Sequence, residues 1–271
     1  MSDLPQELAA LGLTSLPFPK APPPDAIFRS AAADELLARL DFAHRLRGFA
    51  LLTGDVGAGK STLLRLFLHR LDHDRSPAVY IADSALSPRE FYAHVLQHFG
   101  VLPAKTQSQT RRQFATLLTD LAQAQGKSPL IVIDEGHELA AEMVRELRYL
   151  QNVHLDAESP FTLVLIGQPE LRAMLRLKAF EAVHQRILVR FHLGPLSQDE
   201  TKAFVTHALA QAGITRPLFT DSALALLHQH AHGLPRRIGT IAIHALLDAA
   251  LTKASLVEEP SVRRALAELE D

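Results

Sequence analysis

The run Gly54-Asp55-Val56-Gly57-Ala58-Gly59-Lys60-Ser61 concentrates the residue types that handle phosphate. Glycines let backbone N–H groups close around phosphate oxygens with no side chain in the way. Lys60 brings a positive charge to the β- and γ-phosphates, and the Ser61 hydroxyl is a Mg²⁺ ligand. A helix opening at this point directs its positive end at the same anion, and Thr62 in its first turn completes the candidate set. The run fits the G-x-x-x-x-G-K-[ST] pattern in full, follows an apolar stretch and precedes an amphipathic one. A nucleoside triphosphate site is the expectation.

A second run, Leu130-Ile131-Val132-Ile133-Asp134-Glu135, places two acids where an apolar strand ends. An acidic turn after a core strand needs no function by itself. With a phosphate loop upstream and another strand between, the pair reads as catalytic. Asp134 would hold the Mg²⁺ hydration shell, and Glu135 would orient and polarise an attacking water. Two adjacent acids favour hydrolysis over phosphoryl transfer to a bound acceptor. The fourteen histidines raise metal binding as a rival, foremost at His228, His230 and His232. His228 and His232 are four apart and would share a helical face, yet without a neighbouring acid or a fourth ligand they read as helix surface. His137 and Glu138 do not make a zincin motif, because the second histidine is missing.

These residues need elements to hold them. Apolar periodicity predicts strands at 49–53, 78–82, 130–133, 161–166 and 187–193, and helices at 31–46, 60–71, 88–99, 111–125 and 140–151. Strands separated by helices imply crossovers, hence a mainly parallel sheet covered on both faces. After Pro195 the pattern turns helical. Ser197-Gln198-Asp199-Glu200 is a capping box opening a helix that closes near Gly213, and helices at 220–231, 235–253 and 261–269 follow. Pro17, Pro19, Pro22, Pro23 and Pro24 should run extended, as a linker to a short N-terminal helix or an arm laid on a neighbouring surface. The expected divisions are an N-terminal helix and arm at 1–30, a nucleotide-binding core at 31–195 and a small all-helical domain at 196–271.

Composition narrows the classes. The chain has 271 residues, and 28 Lys plus Arg against 30 Asp plus Glu give a net charge of −2. That excludes a globally basic nucleic-acid coater and leaves room for a local basic stripe. Hydrophobic residues make up 47%, which places the chain among folded globular proteins. With no cysteine, disulfides, thiolate zinc sites, iron–sulfur clusters and cysteine nucleophiles are all excluded. The N-terminus lacks the positive start and apolar stretch of a signal peptide. No apolar run approaches the ~20 residues that span a bilayer. A cytoplasmic protein is expected.

Beyond these separate signals, the chain resembles the AAA+ ATPases, and more narrowly the ExeA-type family, which includes secretion-associated ATPases and transposition regulators of the TnsC and MuB types. LPFPKAPPPDAIFRS, RGFALLTGDVGAGKSTLLR, LIVIDEGHEL, FTLVLIGQPELR, HQRILVRFHLGPLSQDE and GLPRRIG carry the resemblance. It implies a P-loop AAA+ core with a five-stranded parallel sheet, ATP and Mg²⁺ as ligands, and a helical domain closing as a lid. Gln168, after the fourth strand, matches the sensor-one position, where Asn or Thr is more usual in the wider superfamily. Arg236 matches the sensor-two arginine, presented by a helix that Pro235 starts. Arg186 precedes the fifth strand and so lies at the sheet edge opposite its own nucleotide. It can act as an arginine finger only on a neighbouring subunit, with Arg190 the weaker candidate. That implies a homo-oligomer, a ring or a helical filament.

In relatives that assemble on DNA, elements corresponding to Lys105, Arg111, Arg112, Arg145 and Arg148 line a channel around the duplex. Contacts there would be to phosphate, salt-dependent and without sequence preference. The leading expectation is an ATP-dependent oligomer on double-stranded DNA that recruits a transposase or a target-selection protein. The alternative is an ATPase driving assembly of a secretion or envelope complex. Longer ExeA proteins carry a membrane segment and a cell-wall-binding region after the ATPase, so a chain ending at Asp271 is expected to act without a membrane anchor.

Overall fold

A computed structural model of the chain describes residues 5–82, 85–150 and 159–270. Its strands are β1 (Phe49–Gly54), β2 (Ala78–Ile81), β3 (Leu130–Ile133), β4 (Thr162–Gly167) and β5 (Ile187–Leu193). The helices of the first half are α1 (Gln6–Ala10), α2 (Ala31–Arg45), α3 (Lys60–Arg70), α4 (Pro88–His98), α5 (Gln107–Thr119) and α6 (Ala141–Leu150). Those of the second half are α7 (Pro169–Leu175), α8 (Glu181–His184), α9 (Gln198–Gln211), α10 (Asp221–Ala231), α11 (Pro235–Leu251) and α12 (Glu259–Glu270).

Two compact units interleave along the chain. One joins Asp34–Gly54 to Phe67–Leu193 and contains the sheet. All its strand pairs are parallel, in the order β2-β3-β4-β1-β5. Every residue of β1, β3 and β4 is buried, as befits strands covered on both faces, while the edge strand β5 alternates. Phe49, Phe91, Ile133, Met143, Phe161 and Leu165 belong to its core. The expected five-stranded parallel sheet flanked by helices is present.

The other unit gathers the chain up to Ala33, Asp55–Leu66, and the residues from Gly194 onward. Leu8 and Leu13 are buried among Val205, Leu227, Ile238 and Leu246 of the C-terminal helices. Phe18 and Phe28 both pack against Phe204, their ring centroids 5.6 and 5.7 Å from its own. The proline-rich segment therefore runs as an arm against the C-terminal helices. One stretch of it departs from the extended expectation: Pro24–Ala26 makes a single 3-10 turn, its first φ already set by the Pro24 ring.

The Ser197–Glu200 capping box opens α9 as expected, both reciprocal hydrogen bonds being formed. α5 begins at Gln107 rather than Arg111, because the Thr106 side chain caps it by accepting from Gln109 N, and its polar first turn hides it from apolar periodicity. Past Thr119 the winding loosens to a π-turn over Asp120–Ala124, so the expected single helix to 125 changes character there. α7 and α8 had no counterpart in the sequence reading. The expected end of the helix at 140–151, Gln151, lies outside the described residues.

Candidate functional site

β1 delivers Gly54 at its carboxyl end, and the chain passes directly into the Asp55–Gly59 loop and α3. Lys60 is only 8% exposed, and its Nζ donates to the Asp55 carbonyl at 2.9 Å. Ser61 is exposed and Thr62 half-buried. Gly57 has φ +83°, and a Cβ there would lie 2.8 Å from Arg236 Cβ. Only glycine suits both demands. The Arg236 backbone N–H donates to the Gly57 carbonyl at 3.2 Å, so the first turn of α11 abuts the phosphate loop. Pro235 occupies the first position of that helix.

The acids belong to the sheet unit. Since β1, β3 and β4 are parallel, Gly54, Asp134 and Gln168 emerge at one edge of the sheet. Asp134 is 5% exposed. Its Oδ1 accepts from Glu135 N at 2.8 Å and its Oδ2 from the Tyr80 hydroxyl at 2.5 Å. Partial burial, then the bond to Asp134, push the Tyr80 phenol well above its usual range, so it stays a donor. Glu135 sits at φ 49°, ψ 36°, a left-handed conformation rare for a residue with a Cβ. The turn it makes brings His137 back beneath it: His137 Nδ1 lies 3.5 Å from Glu135 Oε2, and His137 Nε2 lies 3.0 Å from Gln168 Nε2.

Both oxygens of Asp134 already accept a hydrogen bond, which suits a carboxylate that holds a cation through its water shell. The glycine loop, the buried Lys60 and the N-terminus of α3 suit a polyphosphate. Taken unit by unit, Asp134 thus fits a hydrated Mg²⁺ and the glycine loop with Lys60 fits the phosphates of a nucleotide.

Arg186 precedes β5, whose register pairs Phe49 with Ile187 and Gly54 with Leu193. Seven residue steps at ~3.3 Å separate it by roughly 23 Å from the edge where Gly54 emerges. Its Nη1 donates to the Ala182 carbonyl at 3.1 Å. Arg190 Nη2 donates to the His184 carbonyl. The basic residues are distributed over α5, α6 and the approach to α5. Arg111 Nε is 3.4 Å from Glu146 Oε1. The guanidiniums of Arg111 and Arg148 lie 4.8 and 4.2 Å from the Tyr149 ring, and that of Arg145 lies 5.9 Å from Phe180. Lys105 and Arg112 are exposed.

His228 Nδ1 is 2.8 Å from Thr201 Oγ1, a contact between α10 and α9. His232 lies past the end of α10 at φ 53°, so it does not share the helical face expected of it with His228. Among the described residues no group of three His, Asp or Glu side chains is arranged to hold a metal. Nor is any described helix long and apolar enough to cross a membrane. Sequence reasoning missed two residues of the site, Tyr80 and His137. Their positions become legible only once β2 and β4 are known to flank β3.

Residues 43–175 match the family described as the AAA domain. The chain is 36% identical over 241 residues to general secretion pathway protein A of Aeromonas hydrophila, covering 88% of this chain and 44% of that protein. It thus spans under half the length of that relative. Among solved structures it is similar to Cdc6p of Pyrobaculum aerophilum (TM-score 0.68, 16% identity, 90% of this chain, 68% of the other). It is also similar to Drosophila ORC bound to DNA (0.65, 17%, 100% and 69%) and to the Thermotoga maritima RuvB Holliday junction branch migration motor (0.58, 18%, 94% and 74%). At such identities these structures speak to the fold alone. The fold is thus that of a P-loop AAA+ protein, residues 43–175 are similar to the AAA domain, and over most of its length the chain is similar to general secretion pathway protein A.

Proposed function

We propose that the chain is an ATP-hydrolysing AAA+ module of the ExeA type, whose turnover drives assembly of a secretion or envelope complex. The observation that carries this reading is the 36% identity across 88% of the chain to a protein named for general secretion. It favours the secretion alternative over the transposition-regulator expectation.

In this reading the Gly54–Thr62 segment wraps the phosphates with backbone N–H groups, and Lys60 neutralises their charge. Ser61 and Asp134 would hold Mg²⁺, which would supply charge neutralisation for the β- and γ-phosphates. Glu135 orients the lytic water and takes its proton. Gln168 helps place that water, Arg236 reports the γ-phosphate to the helices from Gly194 onward, and Arg186 completes a neighbouring protomer's site in a homo-oligomer.

Two variants test the chemistry. Lys60→Ala should abolish ATP binding, while Glu135→Gln should bind ATP and turn over roughly 10²–10⁴-fold more slowly. Normal hydrolysis by Lys60→Ala would refute the site. The biological role is tested by deleting the gene and measuring export of secreted enzymes. Export should fall and be restored by the wild type but not by Glu135→Gln. Unchanged export alongside a lowered transposition frequency would return the reading to transposition control.

A further inference from the structure

The segment after the two acids is built more tightly than a surface turn requires. A Cβ on Gly136 would fall 2.5 Å from Leu165 Cδ1 and 3.1 Å from the Ile166 carbonyl. A Cβ on Gly167 would fall 2.6 Å from Leu171 Cδ2 and 3.3 Å from His137 N. Two glycines, on either side of the contact, thus let the Gly136–Glu138 turn lie against the end of β4. Glu138 N donates to the Glu135 carbonyl at 2.9 Å, closing that turn behind the left-handed Glu135. The His137 side chain is 16% exposed and that of Glu135 50%. An imidazole is therefore held between the acid and the residue that follows β4.

Its two nitrogens have different partners. In the amide orientation recorded, Gln168 Nε2–H donates to His137 Nε2 at 3.0 Å, which makes Nε2 an acceptor. That orientation assigns the ring proton to Nδ1, which lies 3.5 Å from Glu135 Oε2. A neutral imidazole has one donor and one acceptor nitrogen, so this assignment uses both. The Gln168 backbone N–H also approaches Nδ1, at 3.5 Å, and competes for that nitrogen as an acceptor.

We propose that His137 is a positioning residue: its ring links the Gln168 amide to the Glu135 carboxylate, so the end of β4 sets the orientation of the general base. The proposal rests on the hydrolytic reading of Glu135 above. Without the ring, Glu135 keeps its chemistry but loses the group that fixes its carboxylate, and a misplaced base slows the chemical step rather than ligand binding. His137 acts through its link to Gln168, so once Gln168 is removed, removing His137 as well should cost little more.

The test uses the purified full chain. Steady-state ATPase and binding of a fluorescent ATP analogue are measured for wild type, His137→Ala, His137→Gln, Gln168→Ala and the double alanine variant. His137→Ala should lower kcat at least tenfold with nucleotide affinity within twofold of wild type. His137→Gln, which can both donate and accept, should recover activity to within about threefold of wild type. The double variant should resemble Gln168→Ala. Unchanged kcat in His137→Ala, or multiplicative losses in the double variant, would overturn the link.

A second readout does not depend on turnover. Long-range ¹H–¹⁵N spectra of the histidine rings report the tautomer of His137. The wild type should carry the Nδ1–H form. Glu135→Gly, which removes the carboxylate, should shift the ring toward Nε2–H as the Gln168 backbone claims Nδ1. A tautomer indifferent to Glu135 would overturn the proposal even in a protein that hydrolyses ATP. Conversely, a coupled tautomer in a protein without turnover would leave the link standing and refute the hydrolytic reading instead.

Discussion

At the scale of single residues, Glu135 joins two demands that conflict. Its backbone occupies the left-handed region, which costs a residue bearing a Cβ roughly 1–2 kcal/mol, and the proposed hydrolysis needs a carboxylate there. Glu135→Gly relieves the backbone and adds some unfolded-state entropy, so a net gain of roughly 0.5–1 kcal/mol is expected together with loss of turnover. Chemical denaturation and ATPase assays on the same preparation check both halves; a destabilised Glu135→Gly would show that the turn is not strained. His44 illustrates a different balance. Its ring lies 3.1 Å from Thr162 Oγ1 and 2.9 Å from Ser76 Oγ. Burial chiefly holds its pKa below 6.5; Asp41 opposes this and Arg47 adds to it. The folded state thus resists protonation while the unfolded chain does not, so stability is complete above the unfolded pKa and declines as pH falls below it. Melting temperature should drop between pH 7.5 and 5.5, and His44→Gln should flatten that drop. An equal slope in both proteins would place the pH dependence elsewhere.

At the scale of elements, legibility followed how local the cause was. The phosphate loop and the acids after β3 were readable because strand, loop and helix follow one another within a few residues. α5 was placed four residues late, because Thr106 and the polar Gln107-Ser108-Gln109 turn announce a cap rather than an apolar face. His137 was passed over as a failed zincin histidine. Its partner Gln168 is 31 residues away and becomes a neighbour only because β4 pairs with β3. Arg236 was reached through the family resemblance, since no local pattern predicts that α11 abuts Gly57. The proline-rich segment had two open readings, linker or packed arm, and the approach of Phe18 to Phe204 at 5.6 Å fits the second; the helix before it is packed as well. Leu8 is 2% exposed within the core it shares with α9, α10 and α11. Leu8→Ala should therefore cost about 2–4 kcal/mol, the range for a buried leucine, as measured by urea denaturation. A loss below about 0.5 kcal/mol would show that this helix is not held in that core.

At the scale of the whole molecule, one sheet edge carries Gly54, Asp134 and Gln168, and the other carries Arg186. A strand's length of about 23 Å is several times the reach of an arginine side chain, so Arg186 cannot serve the site of its own chain from that edge. If it acts on the γ-phosphate at all, it acts on a second copy, and the contact is head to tail. Such contacts propagate into rings or filaments, and they form fully only when each nucleotide is present to be clasped. ATP should accordingly drive assembly that ADP does not support, seen by light scattering or analytical ultracentrifugation. Arg186→Ala should lose about 10³-fold or more in turnover while keeping its nucleotide affinity. Mixing it with Lys60→Ala creates interfaces where an intact loop meets an intact arginine, so activity should reappear in the mixture. Failure to regain activity at any ratio, with assembly verified in the same samples, would rule out an arginine supplied in trans. The same assemblies decide whether the charges on α5 and α6 matter. Repeated along an oligomer, Arg111, Arg112, Arg145 and Arg148 would retain long random duplex DNA in a steeply salt-dependent way. ATP-dependent assembly with no DNA signal at low salt is the outcome expected of a module that works on a protein complex.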